Sequence, residues 1–164
     1  MITVKDNYLN GEEHQALYSV VTAGNFTWYF YPYKVYEHEK ESNAEAFQFV
    51  HTFYEDDVPT SSFFHILKPI LSTLNYKTLI RIKLNLNPYS QKLIVGAYHR
   101  DTTFKCKGAI YYLNTNNGYT LFEKGKEKIN SVRNRMVFFD TDVPHLGTNS
   151  TNCKNRLVLI FNYL

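Results

Sequence analysis

The sequence predicts an α+β fold in which N-terminal helices pack on one sheet of a double-stranded β-helix, or jelly roll. Two observations support this prediction. Helical patterns come first along the chain. From about residue 77 onward the chain divides into short apolar segments, which are separated by turns rich in Asn, Gly and Asp. Helices followed by many short strands at nearly regular spacing are typical of a β-sandwich or jelly roll supported by helices.

Length and composition indicate one compact domain. We expect residues 1–76 to support the barrel and residues 77–164 to form the jelly-roll core. The chain is 44% hydrophobic and has 14 Tyr and 12 Phe, enough to fill a core. A net charge of +3, from 18 basic and 15 acidic residues, argues against a nucleic-acid or membrane partner.

The first half contains one clear helix signal. Asn10, two acidic residues and an apolar stripe that includes Ala16 predict an N-capped helix. Residues 26–36 are aromatic and β-branched and predict a strand or strand pair bent at Pro32, and residues 47–54 predict the next strand.

A second helix is predicted after the loop at residues 55–59. Ser61 or Ser62 would cap it, and its apolar face would run to about Leu74. Pro69 lies inside this segment and predicts a kink or an early break. The remaining segments predict six strands, at residues 78–86, 93–99, 108–113, 119–123, 131–140 and 156–163.

Three residues have the chemistry of a metal site. His99 and Asp101 are two apart, so on a strand they would point to the same face. His145, which a jelly roll can bring opposite His99, would complete the two-histidine, one-carboxylate set of non-haem Fe(II) oxygenases. Such a set leaves coordination positions open, and a carboxylate ligand favours hydroxylation over halogenation.

Arg156 begins the last apolar strand, where alternation turns it inward with Val158 and Ile160. A guanidinium inside an apolar barrel is costly unless it is paired, and its planar fork suits a carboxylate.

Each of these residues also has a purely structural interpretation. A strand histidine is often a core or surface group, and Arg156 alone is compatible with a salt bridge at a strand end. His14, His38, His51 and His65 are expected to be packing, loop or surface residues. The predicted site depends on the combination and its order.

From about residue 81 to 162 the chain resembles the prolyl-4-hydroxylase-like 2-oxoglutarate/Fe(II)-dependent dioxygenases. It is similar in particular to small enzymes of bacteriophages and marine microbes. The resemblance lies in His99-Arg-Asp101, Ile110-Tyr-Tyr-Leu-Asn114, Gly118-Tyr-Thr-Leu-Phe122, Asn134-Arg-Met-Val-Phe-Phe-Asp140, His145 and Arg156. Asn117-Gly118 stands where many relatives have Gly-Gly.

The resemblance implies that His99, Asp101 and His145 hold Fe(II) and that Arg156 anchors the far carboxylate of 2-oxoglutarate. It also implies that Tyr112 reaches this carboxylate and that Thr120 lines its pocket. The implied reaction hydroxylates a C–H bond and releases succinate and CO2, with ascorbate as reductant. A protein or peptide prolyl residue is the implied substrate.

Two alternatives remain open on the sequence. The first is a nucleic-acid or small-molecule oxygenase; its basic rim would be formed by Lys105, Lys107, Lys124, Lys126 and Lys128. The second is a non-catalytic binding module on the same fold.

The sequence also predicts a compartment. Met1 is not followed by the apolar run of a signal peptide, and no stretch is long and apolar enough to span a membrane. Cys106 and Cys153 form no CxxC pattern and are expected to be reduced, partly buried thiols. We therefore expect a cytoplasmic protein, in the host cytoplasm if a phage encodes it.

Overall fold

A computed structural model describes residues 1–35 and 45–164. The elements are β1 (Thr3–Lys5), α1 (Gly11–Val21), β2 (Tyr29–Tyr31), β3 (Gln48–Glu55), β4 (Val58–Pro59), a 3-10 turn (Phe64–Leu67), α2 (Lys68–Leu71), β5 (Leu79–Pro88), β6 (Lys107–Tyr112), β7 (Tyr119–Phe122), a second 3-10 turn (Glu123–Gly125), β8 (Glu127–Asn130), β9 (Arg135–Asp140), β10 (His145–Gly147) and β11 (Asn155–Tyr163). The strands form two antiparallel sheets, and the predicted jelly roll with N-terminal helices is confirmed.

The large sheet has the strand order β1-β9-β6-β11-β5-β3-β2, with β4 paired to β3. The small sheet has the order β10-β7-β8. The core strand β11 pairs with β5 on one side and with β6 on the other. β3, from the N-terminal half, pairs directly with β5, so the sheet that carries the site is built from both halves of the chain.

The two faces of the large sheet pack against different elements. One face packs against α1 and the turns around α2, and buries residues such as Phe53, Leu84 and Phe161. The other face packs against the small sheet through a second cluster that includes Phe122, Val137 and Val158. Strand alternation separates the two sets, so the face toward the small sheet is free to carry functional side chains.

The first helix forms as predicted. Asn10 accepts a hydrogen bond from the Glu13 N–H, and the Glu13 carboxylate reaches back to the Asn10 N–H, which completes a capping box. The buried stripe is His14, Leu17 and Val21, whereas Ala16 is exposed.

The second helix breaks early, as Pro69 predicts. The Ser61 hydroxyl accepts a hydrogen bond from the Phe63 N–H, a 3-10 turn follows, and α2 has only four residues. Pro69 lies in the first turn of α2, where its missing N–H leaves no intrahelical bond unmade.

The strands differ from the predictions at several places. Residues 93–99 form no continuous strand and contact β10 and the residue after it through two isolated bridges, Val95 with Thr148 and His99 with His145. The segment 131–140 is strand only from Arg135, because Asn134 adopts a left-handed conformation with φ of 62°. Four short strands, β1, β4, β8 and β10, were not predicted, and β4 lies inside the segment 55–59 that was predicted to be a loop.

The aromatic segment at residues 26–36 is also divided. Phe26 is buried in the helix-side core, while β2 is short and exposed and ends before Pro32. Tyr36 and the predicted loop around His38 lie outside the described residues. Within the part of the chain that the structure describes, no helix has the length and apolar character needed to cross a bilayer.

Candidate metal centre and adjoining pocket

The two histidines of the predicted site face each other across one bridge. The His99 N–H donates to the His145 carbonyl at 2.9 Å, and the His145 N–H donates to the His99 carbonyl at 3.0 Å. Directly opposed residues of an antiparallel pair project to the same face. The two imidazole rings therefore lie side by side, with their centroids 4.7 Å apart.

Asp101 completes the group from the bend after this bridge. Its Oδ1 lies 3.7 Å from Nε2 of His99 and 3.7 Å from Nε2 of His145. One ligand atom from each of the three residues lies within 4.8 Å of the others. The side chains of Asp101 and His145 are almost fully buried, while that of His99 is 25% exposed, so the group opens to solvent on the His99 side.

The other ring nitrogen of each histidine contacts a carbonyl. Nδ1 of His99 lies 3.1 Å from the Ala97 oxygen, and Nδ1 of His145 lies 3.4 Å from the Val143 oxygen. A carbonyl can only accept, so each Nδ1 donates and each neutral Nε2 carries a lone pair. Two imidazole lone pairs and a carboxylate oxygen then converge, with no N–H or O–H group among them. This set of ligand atoms fits a divalent cation of intermediate softness such as Fe(II).

Electrostatics favour an ionised Asp101 and a neutral His145. Burial by itself raises the pKa of Asp101, but the contacts with His99 and His145 and the Arg81 guanidinium outweigh it and hold this pKa below its usual value. Burial lowers the pKa of His145, which favours the neutral imidazole at neutral pH. Metal binding needs an ionised carboxylate and neutral imidazoles.

Two residues outside the triad orient Asp101. Nδ2 of Asn162, on β11, donates to Oδ2 of Asp101 at 3.3 Å. The Arg81 guanidinium, on β5, donates to the Asp101 carbonyl at 3.2 Å and lies 3.9 Å from Oδ1. Neither residue was predicted to take part in the site.

A pocket extends from the triad between the two sheets. Its empty volume, open mouth included, is about 620 Å³. The triad lines one part of it, and Thr120, Arg156, Val158 and Ile160 line another. Arg156 points inward with Val158 and Ile160, as the alternation of β11 predicts.

Arg156 is a buried cation, and no carboxylate of the described residues lies within ion-pairing distance of it. Its Nε donates to Ser131 Oγ at 2.7 Å and its Nη1 to the Thr148 carbonyl at 3.1 Å. Nη2 donates to Thr120 Oγ1 at 3.1 Å. A guanidinium has five N–H groups, so two remain for a ligand. Burial lowers the pKa of Arg156, which marks the cost of leaving this charge without an anion.

Thr120 and Tyr112 stand beside this guanidinium. The Tyr112 hydroxyl donates to Thr120 Oγ1 at 2.7 Å, so Oγ1 already accepts two hydrogen bonds and its own O–H is left to donate. Thr120 lines the pocket, whereas Tyr112 is buried behind it with its ring 5.4 Å from the Arg156 guanidinium carbon. The predicted contact of Tyr112 with a co-substrate stays a prediction.

Gly118 gives Arg156 the space it occupies. A Cβ atom at this position would lie 2.5 Å from Cδ of Arg156 and 2.5 Å from the Asn149 carbonyl. Position 118 therefore requires a glycine, because a Cβ atom there would clash with the Arg156 side chain.

One wall of the pocket was not predicted from the sequence. Along β5, Lys83, Asn85 and Asn87 line the pocket, and the apolar Ile82, Leu84 and Leu86 point to the helix-side core. This strict alternation of polar and apolar residues was visible in the sequence, and it predicts a strand with one polar inner face.

The other described histidines and the cysteines lie apart from this pocket. His51 bridges the Thr27 carbonyl and the Ser61 hydroxyl, and His65 is an exposed residue near the Ser62 carbonyl. Cys106 and Cys153 form no disulfide.

Known proteins resemble the chain in structure but not in sequence. No protein-family model and no curated protein matches it. A prolyl hydroxylase from Trichoplax adhaerens, solved with a hypoxia inducible factor oxygen degradation domain peptide, is 15% identical. The match has a TM-score of 0.65 and covers 99% of this chain and 83% of that one.

Two further structures give similar values. The viral collagen prolyl hydroxylase of Paramecium Bursaria Chlorella virus-1, in its 2-oxoglutarate complex, is 12% identical with a TM-score of 0.65, over 98% of this chain and 94% of that one. An oxidoreductase of the 2OG-Fe(II) oxygenase family from Burkholderia pseudomallei is 8% identical with a TM-score of 0.69, over 99% and 84%. The chain therefore has the fold of the prolyl-hydroxylase-like 2-oxoglutarate oxygenases.

Proposed function

We propose that this protein is an Fe(II)- and 2-oxoglutarate-dependent dioxygenase that hydroxylates a C–H bond. The observation that carries the proposal is the pocket that joins two incomplete sites. At one end three acceptor atoms converge as in a metal site, and at the other a buried guanidinium has no carboxylate partner among the described residues. A dicarboxylate that contacts both ends would satisfy both.

The spacing of the two ends supports this co-substrate. On the small sheet Thr120 pairs with Gly147, which is two residues beyond His145 on β10. Two residues of antiparallel strand span about 7 Å. A five-carbon dicarboxylate can therefore extend from the metal ligands to the Thr120 hydroxyl and the Arg156 guanidinium.

In the proposed reaction 2-oxoglutarate, O2 and a substrate C–H group give succinate, CO2 and a C–OH group. Fe(II), when bound, supplies the redox chemistry that couples decarboxylation to oxygen insertion. His99, Asp101 and His145 would hold the ion on one side and leave the other side open to the pocket. Arg156 and Thr120 would orient the co-substrate, and the apolar Val158 and Ile160 would exclude water from it.

The direct test combines the protein with Fe(II), ascorbate and 2-oxoglutarate and measures succinate. Wild type is expected to form succinate, and Asp101→Ala is expected to lose both metal binding and succinate formation. Asp142→Ala is the matched control, since this carboxylate forms an exposed ion pair with Lys105. Metal binding by Asp101→Ala at wild-type affinity would contradict the proposal.

Within this class we propose a protein or peptide prolyl residue as substrate. The solved structures of similar fold include prolyl hydroxylases, one of them with a peptide. In this chain β2 is the last described strand of the large sheet, and its Tyr29 and Phe30 are 62% and 59% exposed. An exposed aromatic edge strand suits an extended peptide.

Proline-containing peptides incubated with the active protein are expected to gain the mass of one oxygen atom on proline. Gain of oxygen only on nucleobases or on free amino acids would contradict the prolyl proposal and leave the oxygenase proposal standing.

The alternatives have less support. Apart from Lys124, whose side chain is not described, the lysines of the basic rim are already engaged: Lys105 with Asp142, Lys107 with Asp140, Lys126 with Glu123 and Lys128 with the Tyr119 ring. For Lys105, Lys107 and Lys126 a carboxylate would compete with a phosphate backbone. A binding module without catalysis would not need the converging acceptors of the triad.

We also propose that the protein works in a reducing cytoplasm. Fe(II), ascorbate as reductant and two unpaired thiols suit a reducing cytoplasm, which would be that of the host if a bacteriophage carries the chain.

A further inference from the structure

The polar wall of β5 runs beside the proposed co-substrate path. Its inward residues pair in register with those of β11: Asn87 lies opposite Arg156, Asn85 opposite Val158, Lys83 opposite Ile160 and Arg81 opposite Asn162. The wall therefore extends from the level of the guanidinium at one end to the residues that orient Asp101 at the other. Lys83 is the inward residue next to Arg81, close to the end of the wall at Asp101.

Lys83 carries a charge that nothing in the described structure neutralises. No carboxylate of the described residues lies within 4.0 Å of its ammonium group, and no hydrogen bond from it is found there. Burial and the neighbouring Arg81 lower the pKa of Lys83 to about 8, against the opposing effects of Asp101 and Glu55. At neutral pH the ammonium form still predominates, so a half-buried cation faces the pocket.

Metal and co-substrate do not supply the missing anion. Asp101 and the near carboxylate of 2-oxoglutarate would balance the two charges of Fe(II), and Arg81 lies 3.9 Å from Asp101. The far carboxylate of the co-substrate belongs to Arg156, two pairs of residues along the wall from Lys83. Among the described residues, Lys83 is thus a half-buried cation without a compensating anion.

Asn85, the next inward residue of β5, has a hydrogen-bond acceptor that lacks a donor among the described residues. Oδ1 of Asn85 is buried in the pocket wall and accepts no hydrogen bond from the described residues. A buried acceptor without a donor costs free energy, so a ligand with an N–H group near its anion would satisfy both residues.

We propose that Lys83 binds a carboxylate of the primary substrate, so that the enzyme selects an anionic substrate. This inference rests on the proposed oxygenase function and narrows its substrate class. The carboxylate belongs either to an acidic side chain close to the target residue of a peptide or to a small free acid. In both cases an N–H group of the same molecule donates to Asn85.

The test uses the full-length protein loaded with Mn(II) and 2-oxoglutarate without oxygen, so that binding is measured without turnover. In one arm the immobilised protein captures peptides randomised at the positions around a central proline, and the captured pool is sequenced. In the other arm calorimetry compares L-proline with L-prolinamide, both of which keep the N–H groups of the ring nitrogen. Lys83→Met removes the charge at nearly constant length, and Lys83→Arg keeps the charge.

We expect wild type to prefer the carboxylate over the matching amide by about tenfold or more in one arm, which identifies the source of the carboxylate. Lys83→Met is expected to lose this preference and Lys83→Arg to keep most of it, while all three proteins bind 2-oxoglutarate within about twofold of one another.

Equal binding of acid and amide by wild type in both arms would overturn the inference. So would a preference that survives in Lys83→Met, or a large loss of 2-oxoglutarate affinity in that variant, because Lys83 would then be a co-substrate ligand. If the proposed oxygenase function itself were wrong, wild type would show no metal-dependent binding of 2-oxoglutarate, and this result is distinct from the outcomes above.

Discussion

Replacing Arg156 by Met is expected to abolish most of the affinity for 2-oxoglutarate. Three of the five N–H groups of this guanidinium are used by Ser131, Thr148 and Thr120, so two remain for the co-substrate carboxylate. A hydrogen bond to a charged group contributes about 1.5–3 kcal/mol, so two contribute about 3–6 kcal/mol. The dissociation constant should rise by roughly a hundredfold to ten-thousandfold.

The assay is calorimetric titration of 2-oxoglutarate into the Mn(II)-loaded protein in the absence of oxygen. Arg156→Lys is expected to fall between wild type and Arg156→Met, because a lysine keeps the charge but cannot make the planar two-point contact. Arg133→Met makes the same chemical change at an exposed arginine that contacts Gln15. It is expected to leave the affinity unchanged.

The thermal transition and the Mn(II) affinity of Arg156→Met decide how its result is interpreted. If both stay close to wild type, the loss belongs to the co-substrate contact. A folded Arg156→Met protein that binds 2-oxoglutarate within about threefold of wild type would refute the assignment, because so small a change is less than one charged hydrogen bond.

Three further predictions follow from side chains around the pocket and the helix. Asn162→Leu, which removes the hydrogen bond to Asp101, is expected to weaken Mn(II) binding by about 10–100-fold in calorimetry, and unchanged affinity would remove Asn162 from the site. Asn134→Ala is expected to lower the free energy of unfolding by about 2–4 kcal/mol in urea titrations, because the Asn134 side chain bonds both the N–H and the carbonyl of Leu9; Asn134→Gly separates this loss from the left-handed backbone. Burial, aided by Arg133, lowers the pKa of His14 to about 4 from 6.5, so the unfolded chain binds more protons between these values and stability should rise with pH across that window. His14→Leu should flatten this part of the stability profile, by at most about 1.4 kcal/mol per pH unit, and an unaltered profile would contradict the assignment.

The sequence was sufficient where local chemistry decides structure. Asn10 and the acidic residues after it form the capping box, Pro69 breaks the second helix, and the alternation of β11 turns Arg156 inward. These features depend on neighbours along the chain, and such neighbours are visible in a sequence. The residue types and order of the triad predicted a cluster that the fold brings together, although its role as an iron site stays a prediction.

The sequence was insufficient where distant contacts decide structure. The segment 93–99 contains β-branched and apolar residues, yet it forms isolated bridges at Val95 and His99 and not the continuous strand that was predicted. β10 has three residues and forms because β7 lies beside it. The contact between Asn162 and Asp101 joins residues 61 positions apart, and no local pattern encodes it. The polar face of β5 could have been predicted from its alternation.

The pair of bridges that attaches residues 93–99 has a consequence for how the empty and loaded forms differ. This segment is secured to β10 and the residues after it by isolated contacts such as the 2.9 Å hydrogen bond from Gly96 to Gly147, without a continuous ladder. An ion coordinated by His99, Asp101 and His145 would link the C-terminal end of the segment to β10. Loading would then slow the cutting of this stretch by proteases and its amide hydrogen exchange, while the helix-side core would exchange at the same rate with or without metal.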